Sequence, residues 1–253
     1  MKPLPCVGLV PAAGLATRLG ALPCSKEILP LRPSTTRPAQ RLAVMADCLL
    51  NAYRTAGINE AYIIIRKGKW DIPDFYGDGI SSGINIAYLM MRHPYGTPFT
   101  LDQAFPFIKD KRVALGFPDI QFSPNNIYQR LLAQQEKSHA DIVLGLFIPS
   151  NPNKFDMVDF SKDGLVNNII IKPPQTNLKY AWICAVWMPS FSSFMHGYLA
   201  KVMAKTKPEN NPEIYVGTVM QAALKKNIKI TAEIFSNGRA IDVGTPDDLA
   251  QIG

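Results

Sequence analysis

A short strand near the N-terminus is followed by small residues and then by two cations. Residues 9–31 read LVPAAGLATRLGALPCSKEILPL, and they place Arg18 eight positions before Lys26. Small residues let a phosphate approach the backbone, and successive N–H groups in such a turn form an anion-binding nest. Arginine and lysine add charge and hydrogen bonds to phosphate oxygens. The stretch favours a polyphosphate site, with ordinary exposed surface as the alternative. Its small residues are Ala12, Ala13 and Gly14.

Two aspartates follow apolar stretches in distant parts of the chain. Asp119 lies in ALGFPDIQF, and Asp242 lies in AIDVGTPDDL. Each has a structural alternative, because an aspartate often caps a turn, and Thr245 before Pro246 is a typical helix start. If the two carboxylates meet in space, they can hold Mg²⁺, which takes one or two carboxylates and leaves positions for water and substrate phosphates. The pair therefore predicts a magnesium site.

The composition restricts the class of protein. The chain has 253 residues, of which 47% are hydrophobic and 19% charged, as expected for a folded globular protein. No apolar run approaches the ~18–20 residues that a membrane span requires, so we expect a cytoplasmic protein. The net charge of +7 suits an anionic partner. The lysines are dispersed and no aromatic residues alternate with them, which favours a solvated face over a nucleic-acid groove.

The cysteines and histidines do not form a catalytic pattern. The four cysteines show neither the C-x-x-C spacing of a zinc site nor the density of a disulfide framework. We therefore expect reduced thiols of minor structural importance. With only three histidines, no Ser/His/Asp or Cys/His arrangement is evident.

Strand and helix patterns alternate along the first half of the chain. A strand over residues 7–10 precedes a helical apolar pattern over residues 39–56, which Gly57 ends, and a continuous apolar strand over residues 60–66. Strand, helix and strand in that order predict a parallel sheet covered on both faces. The next predicted elements are a strand over 84–89, a helix over 101–108, a strand over 112–117, a helix over 126–138 and a strand over 140–148.

The second half of the chain is richer in strand patterns. Strands are predicted in GLVNNIIIKP, YAWICAVW and KITAEIF, and helices near residues 191–205 and 215–226. No repeat and no Gly/Ser linker divides the sequence, so we expect one domain over residues 1–253. Open α/β sheets bind ligands at the carboxyl ends of their strands, where the polar residues above are expected.

The order of these motifs resembles the sugar-1-phosphate nucleotidyltransferases, the family that includes glucose-1-phosphate thymidylyltransferase and the UDP-glucose and GDP-mannose pyrophosphorylases. The family opens with a G-x-G-T-R-L…P-K signature, which Gly14, Thr17, Arg18, Leu19 and Lys26 fit. Its later segments are resembled, in order, by RTAGINEAYIII, YGDGISSGINIAYLMMRHPYGT, LGFPDIQF, IIKPP and IDVGTPDDL. The resemblance spans essentially the whole chain.

The resemblance implies a fold and a reaction. The fold is an α/β, single GT-A-like, Rossmann-related three-layer α/β/α domain with a mixed, mostly parallel central sheet and no C-terminal β-helix. The reaction is the Mg²⁺-dependent transfer of a nucleotidyl group from a nucleoside triphosphate to a sugar phosphate, which gives an NDP-sugar and pyrophosphate. A homodimer is a further expectation from the family.

The same resemblance implies roles for individual residues. Arg18 and Lys26 bind the triphosphate and stabilise the leaving pyrophosphate, and Asp119 completes the catalytic set. Asp119 and Asp242 hold Mg²⁺. The implied nucleotide-binding residues are Ala12, Ala13, Gly14, Met91, Gly96 and Thr97. The implied sugar-phosphate-binding residues are Lys172, Trp182 and Glu213.

The sequence also departs from the family pattern. Ala16 replaces the second glycine of the opening signature, and Ile171 replaces the glutamate of the E-K-P motif. Met91 falls near the position of a base-reading glutamine, and Trp182 near that of a glycine over the sugar. The identities of base and sugar therefore stay open.

Two other classes of function compete with this interpretation. A degenerate relative could bind a nucleotide or sugar nucleotide as a regulatory subunit without turnover, although retention of both metal carboxylates argues against it. A Rossmann dehydrogenase is disfavoured, because the G-x-G-x-x-G fingerprint and the acidic residue after the second strand are absent from the sequence.

Overall fold

The computed structural model describes residues 4–31, 43–205 and 213–252. In these ranges the chain alternates strands and helices. The strands are β1 (Cys6–Pro11), β2 (Glu60–Ile65), β3 (Asn85–Met90), β4 (Arg112–Leu115), β5 (Ile120–Ser123), β6 (Ile142–Phe147), β7 (Met157–Phe160), β8 (Val166–Ile170), β9 (Ala181–Trp187), β10 (Ile230–Ile234) and β11 (Arg239–Asp242). The helices are α1 (Asp47–Thr55), α2 (Asp71–Tyr76), α3 (Thr97–Asp102), α4 (Phe105–Ile108), α5 (Ile127–Ser138), α6 (Pro189–Lys205), α7 (Val216–Leu224) and α8 (Pro246–Ala250).

The central sheet is mixed and mostly parallel. Its strand order is β10-β6-β9-β4-β1-β2-β3, and the β7–β8 hairpin attaches beside β9. Strand β9 runs antiparallel to both of its neighbours, β4 and β6. Strands β4, β1, β2 and β3 lie side by side in that order, and each neighbouring pair is parallel. The central strands are apolar along their whole length because both faces of the sheet are covered. The predicted fold class is confirmed.

Helices pack on both faces of this sheet. On one face, α1 and α5 bury Leu49, Tyr53 and Tyr128 against the strands. On the other face, α3, α6 and α7 bury a second apolar cluster that includes Phe99 and Phe191. This three-layer arrangement leaves the carboxyl ends of β1, β2 and β4 open at one edge, which is where the polar residues of the candidate site lie.

A separate two-stranded ribbon stands beyond that edge. Strands β5 and β11 pair antiparallel, with Asp242 opposite Ile120 and Arg239 opposite Ser123. The sequence predicted a strand before Asp242 but did not predict β5, which comes directly after Asp119. The two aspartates therefore belong to this ribbon and its approach, rather than to strands of the central sheet.

The predicted helix over residues 39–56 begins later than expected. Residues 39–42 lie outside the described part of the chain, and α1 begins at Asp47. Before it, Val44 forms an antiparallel bridge with Pro30, and the Met45 N–H donates to the Leu29 carbonyl oxygen over 3.1 Å. The backbone around Val44 and Met45 pairs with the segment that follows Lys26, so these residues do not form the hydrogen bonds of a helix.

The predicted helix over residues 101–108 is two short helices, α3 and α4. Pro106 lies at the second position of α4, and a proline has no N–H to donate to the carbonyl of Asp102. A continuous helix would leave that carbonyl without its partner, and the chain turns between the two helices instead. Within the described ranges, no helix combines the length and apolar character that crossing a membrane requires.

Candidate active site

Asp119 and Asp242 meet at one end of the β5–β11 ribbon. Asp242 is the last residue of β11 and pairs with Ile120, and the Val243 N–H donates to the Asp119 carbonyl oxygen over 3.0 Å. Burial raises the pKa of the Asp242 carboxyl, and the charge of Asp119 raises it further. The structure therefore brings together the two carboxylates that the sequence analysis paired.

Lys26 contacts both strands' flanking residues at this same end of the ribbon. Its Nζ donates to Oδ2 of Asp119 over 2.6 Å and to the carbonyl oxygen of Val243 over 3.1 Å. The Lys26 side chain is only 11% exposed, so its position is closely defined by these contacts. One ammonium group thus stands beside the acidic pair, where it can also meet a bound anion.

Side chains near the start of α2 hold the residues on either side of Lys26. Asp71 accepts hydrogen bonds from the N–H and the Oγ of Ser25, over 2.6 and 2.7 Å. Lys69 donates to both carboxylate oxygens of Glu27, over 2.6 and 2.7 Å, and both members of this pair are buried. The sequence analysis missed these contacts, because 46 and 42 positions separate the partners.

Arg18 approaches the acidic pair from the N-terminal loop. It is exposed and lies in the 3₁₀ turn Thr17–Leu19. Its guanidinium group packs against Gly244, where an added Cβ would stand 3.0 Å from one guanidinium nitrogen. Burial dominates the raised pKa of Asp242, and the positive charges of Lys26 and Arg18 oppose it. Both cations of the N-terminal stretch therefore act on the same carboxylates.

A cavity beside the end of β1 collects most of the predicted nucleotide-binding residues. Its lining includes Ala13, Gly14, Met91, Gly96 and Thr97. Ala12, the sixth residue of that prediction, is not part of this lining. Its N–H donates to the Ile64 carbonyl oxygen over 2.8 Å, in continuation of the parallel pairing of β1 with β2, so this amide is unavailable to a phosphate. We call this space the nucleotide-side cavity.

Met91 presents a thioether to the nucleotide-side cavity. The Thr100 hydroxyl donates to Met91 Sδ over 3.5 Å. A thioether is a weak acceptor and has no N–H to donate. Met91 therefore gives this cavity an apolar surface, and no directed hydrogen bond of the kind a glutamine would form.

A second cavity lies between the ribbon and the first turn of α7, and we call it the acceptor-side cavity. Lys172, Trp182 and Tyr215 line it together with Asp119 and Asp242. The Lys172 backbone is left-handed with φ 37°, and its Nζ lies 3.9 Å from the centre of the Tyr215 ring. The structure therefore places Lys172 and Trp182 in one cavity with the acidic pair.

Glu213, which was predicted to bind the sugar phosphate with Lys172 and Trp182, lies at the other cavity. It lines the nucleotide-side cavity. Burial raises the pKa of the Tyr215 hydroxyl, and the adjacent Glu213 carboxylate raises it further. Glu213 therefore stands close to the wall that separates the two cavities.

The two cavities meet at the acidic pair. Thr97, Phe117 and Asp119 line both of them. A molecule in one cavity can therefore reach a molecule in the other beside Asp119 and Lys26. This geometry suits a reaction between two substrates.

The donor set at this junction fits a hard divalent cation that is shared with a substrate. Asp119 and Asp242 supply two carboxylates, and the described residues contain no cluster of three or more His, Cys, Asp or Glu side chains that could hold a metal. Mg²⁺ takes one or two carboxylates and completes its shell with water and phosphate oxygens.

Known proteins resemble the chain over almost its whole length. The sequence model of a family described as nucleotidyl transferase matches residues 8–253. The low-salt glycan biosynthesis nucleotidyltransferase Agl11 of Haloferax volcanii is 25% identical over 87% of this chain and 61% of its own length. A glucose-1-phosphate thymidylyltransferase of Mycobacterium tuberculosis is 25% identical over 96% of this chain and 79% of its own length. The chain thus spans under two thirds of Agl11.

The fold also matches solved structures. A UDP-glucose pyrophosphorylase in complex with UDP-glucose superposes with a TM-score of 0.76 at 16% identity, over 98% of this chain and 97% of that chain. This likeness concerns the fold.

Proposed function

Since the chain belongs to the nucleotidyl transferase family, we propose that it transfers a nucleotidyl group from a nucleoside triphosphate to a sugar phosphate. Pyrophosphate is the second product. The names of the relatives support this proposal, because they include a glycan biosynthesis nucleotidyltransferase and a glucose-1-phosphate thymidylyltransferase.

One observation carries the proposal. Asp119, Asp242 and Lys26 lie together at the junction of two cavities. A transfer between two phosphorylated substrates needs two adjoining sites with concentrated charge between them, because the reacting phosphates repel each other. A protein that only binds a nucleotide does not need the second cavity.

The chemistry requires alignment more than a strong base. An oxygen of the sugar phosphate forms a bond to the α-phosphorus of the triphosphate, and the bond from that phosphorus to the bridging oxygen of pyrophosphate breaks. The attacking phosphate is already ionised at neutral pH, since its second pKa is about 6. Catalysis therefore consists mainly of positioning and charge neutralisation.

Each residue at the junction has a role in this proposal. Lys26 and Arg18 bind the triphosphate and offset the charge that grows on the leaving pyrophosphate. Asp119 and Asp242 would hold Mg²⁺, which supplies positive charge to the triphosphate oxygens. Lys172 binds the phosphate of the acceptor, for which its ammonium would leave the face of Tyr215.

A pyrophosphate-release screen tests the proposal. The protein is incubated with Mg²⁺, each of the common nucleoside triphosphates in turn, and a panel of hexose and heptose phosphates. We expect release with at least one pair and its loss in Asp119→Asn. The matched control is Asp247→Asn, because Asp247 is exposed on α8. The absence of release from the whole panel would favour a nucleotide-binding protein without turnover.

A further inference from the structure

A buried carboxylate lies in the wall of the acceptor-side cavity. Asp156 lines this cavity and is 8% exposed. Its Oδ2 accepts a hydrogen bond from Trp182 Nε1 over 3.3 Å. Its Oδ1 is buried and has no hydrogen-bond partner among the described residues. A buried polar atom without a partner destabilises the folded state, so this oxygen calls for an explanation.

The position of Asp156 follows from the register of the β7–β8 hairpin. Met157 pairs with Ile170 in antiparallel register, which places Asp156 opposite Ile171. Both side chains converge over Gly217 in the first turn of α7. A Cβ on Gly217 would stand 2.3 Å from Asp156 Oδ2 and 2.7 Å from Ile171 Cδ1. The glycine therefore leaves the room that the carboxylate occupies, and the residue across the hairpin is apolar.

Among the residues that the structure describes, no cation forms an ion pair with this carboxylate. The Lys172 ammonium lies over the Tyr215 ring, and the ion pairs among the described residues include none of Asp156. Burial raises the pKa of the Asp156 carboxyl, while the Trp182 indole N–H, the Lys172 charge and the backbone N–H groups of Lys172 and Gly217 oppose that rise. The carboxylate thus has N–H donors around it but no counter-ion among the described residues.

The other acids of this cavity are engaged elsewhere. Asp119 and Asp242 also line it, but they stand with Lys26 and Arg18 at the junction. Asp156 instead stands beside Trp182, which lies in ring contact with Phe117 at 5.9 Å between centroids. A carboxylate beside aromatic rings suits the part of a ligand that carries hydrogen-bond donors on an otherwise apolar frame.

We propose that Asp156 binds the non-reacting part of the acceptor and selects acceptors that present a hydrogen-bond donor there. The donor is a hydroxyl of a neutral sugar phosphate or the ammonium group of an amino-sugar phosphate. This inference rests on the proposed function, because it concerns the second substrate of that reaction.

Steady-state kinetics with Asp156→Ala test the inference. The probe is the sugar phosphate that the wild-type protein turns over fastest. A hydrogen bond to a charged group contributes about 1.5–3 kcal/mol, so we expect the acceptor KM to rise about tenfold or more while the KM of the triphosphate stays within about twofold. The matched control is Asp159→Ala, which removes a nearby aspartate, in β7, that does not line the cavity. An unchanged acceptor KM would overturn the proposal.

Deoxyfluoro analogues of the same acceptor provide a readout that a purely structural role would not change. Fluorine cannot donate a hydrogen bond, so one analogue should lose about tenfold in kcat/KM with the wild-type protein. With Asp156→Ala that loss should disappear, because the partner of the missing hydroxyl is gone. Equal losses in both proteins would contradict the inference.

Two further variants separate the sources of the donor and guard against misfolding. Asp156→Asn keeps an oxygen for Trp182 Nε1 and for a hydroxyl, but it loses the charge that an ammonium group requires. A small effect of Asp156→Asn therefore indicates a neutral sugar, and a large one an amino sugar. Ile171→Glu added to Asp156→Ala returns a carboxylate from across the hairpin, and we expect it to recover part of the acceptor affinity.

The failure of the inference and the failure of the proposed function give different results. If the wild-type protein releases no pyrophosphate with any pair, the proposed function fails. Calorimetric titration of the sugar-phosphate panel then compares wild type with Asp156→Ala directly. Equal dissociation constants would overturn the role of Asp156 in either case.

Discussion

Lys26 contacts both chain segments at the end of the ribbon where Asp119 and Asp242 meet. Its ammonium contacts the Asp119 carboxylate and the Val243 carbonyl oxygen at the same time. A side chain with three donors can keep one such contact and offer another N–H to a phosphate. In the proposed reaction, Lys26 therefore couples the acidic pair to the charge of a bound triphosphate.

We expect Lys26→Gln to reduce kcat by about a hundredfold or more, because removal of one donor that stabilises developing charge typically has an effect of this size. Initial rates of pyrophosphate release measure it. Lys67→Gln serves as the control, since Lys67 is exposed in the turn after β2. A Lys26→Gln protein that keeps more than half of the wild-type rate would rule out this role.

Some of these residues can be recognised from the sequence alone, and others cannot. Arg18 and Lys26 stand out because two cations follow a run of small residues. Asp156 gives no such signal, because its burial and its free oxygen depend on the pairing of β7 with β8 and on the first turn of α7. Side-chain placement of this kind is a tertiary property that local pattern does not encode.

At the scale of elements, the turn that carries Lys26 depends on contacts to the start of α2. Glu27 and Lys69 form a buried ion pair. Breaking such a pair by removing one partner costs about 3–5 kcal/mol, because the remaining charge is left buried and uncompensated. The pair therefore fixes the backbone of the turn, and replacing either partner by a neutral residue destabilises the protein.

Lys69→Met should make the free energy of unfolding depend strongly on pH. Burial raises the pKa of the Glu27 carboxyl above its unfolded value, and Lys69 opposes that rise. Without Lys69 the folded pKa rises further, so the variant loses stability as pH increases from about 4.5 through the raised folded pKa. Urea denaturation at pH 5 and pH 8 measures the difference.

The double variant Glu27→Gln with Lys69→Met controls for lost packing. It has no buried carboxylate, so its stability should differ little between the two pH values. If Lys69→Met alone showed no more pH dependence than the wild-type protein, the ion pair would not hold the turn.

Gly96 lines the nucleotide-side cavity and packs against the chain segment that carries Glu213 and Tyr215. Gly96 has φ +119°, and an added Cβ would stand 2.2 Å from the Ile214 carbonyl oxygen. We expect Gly96→Ala to lower the free energy of unfolding by at least about 1–3 kcal/mol, the usual cost of such backbone strain. Urea denaturation checks this value.

Gly197→Ala is the matched control for this substitution. Gly197 lies in α6 and has open space around an added Cβ, so alanine should be neutral or should stabilise the helix by up to about 1 kcal/mol. Equal effects of the two substitutions would mean that the close approach at Gly96 is not maintained in solution.

The elements were predictable where apolar patterns were long and unambiguous. Strands β1, β2, β6 and β9 and helix α5 follow the predicted positions. Strand β5 was missed because its four residues follow a predicted strand almost directly and are too few for a separate periodic signal. The helix over residues 39–56 was placed too early because Met45 and Ala46 fit its apolar spacing. The conformation of residues 43–45 is set by their long-range pairing with residues 29–31.

At the scale of the whole molecule, the fold brings distant parts of the chain to one edge of the sheet. Lys26 and Val243, which form a hydrogen bond there, are 217 positions apart. The match of the family to residues 8–253 confirms the family that the ordered motifs predicted. What the motifs could not predict is that two cavities meet at this edge, because that depends on how the ribbon and α7 pack against the sheet.

The central claim is that Asp119 and Asp242 together hold a divalent cation that the reaction needs. The most direct test is the Mg²⁺ dependence of the initial rate of pyrophosphate release, measured for the wild-type protein and for Asp242→Asn after removal of metal with EDTA. We predict no release without Mg²⁺, recovery on its addition, and a half-saturating Mg²⁺ concentration at least about tenfold higher in Asp242→Asn. Release in EDTA, or the same half-saturating concentration in both proteins, would contradict the claim.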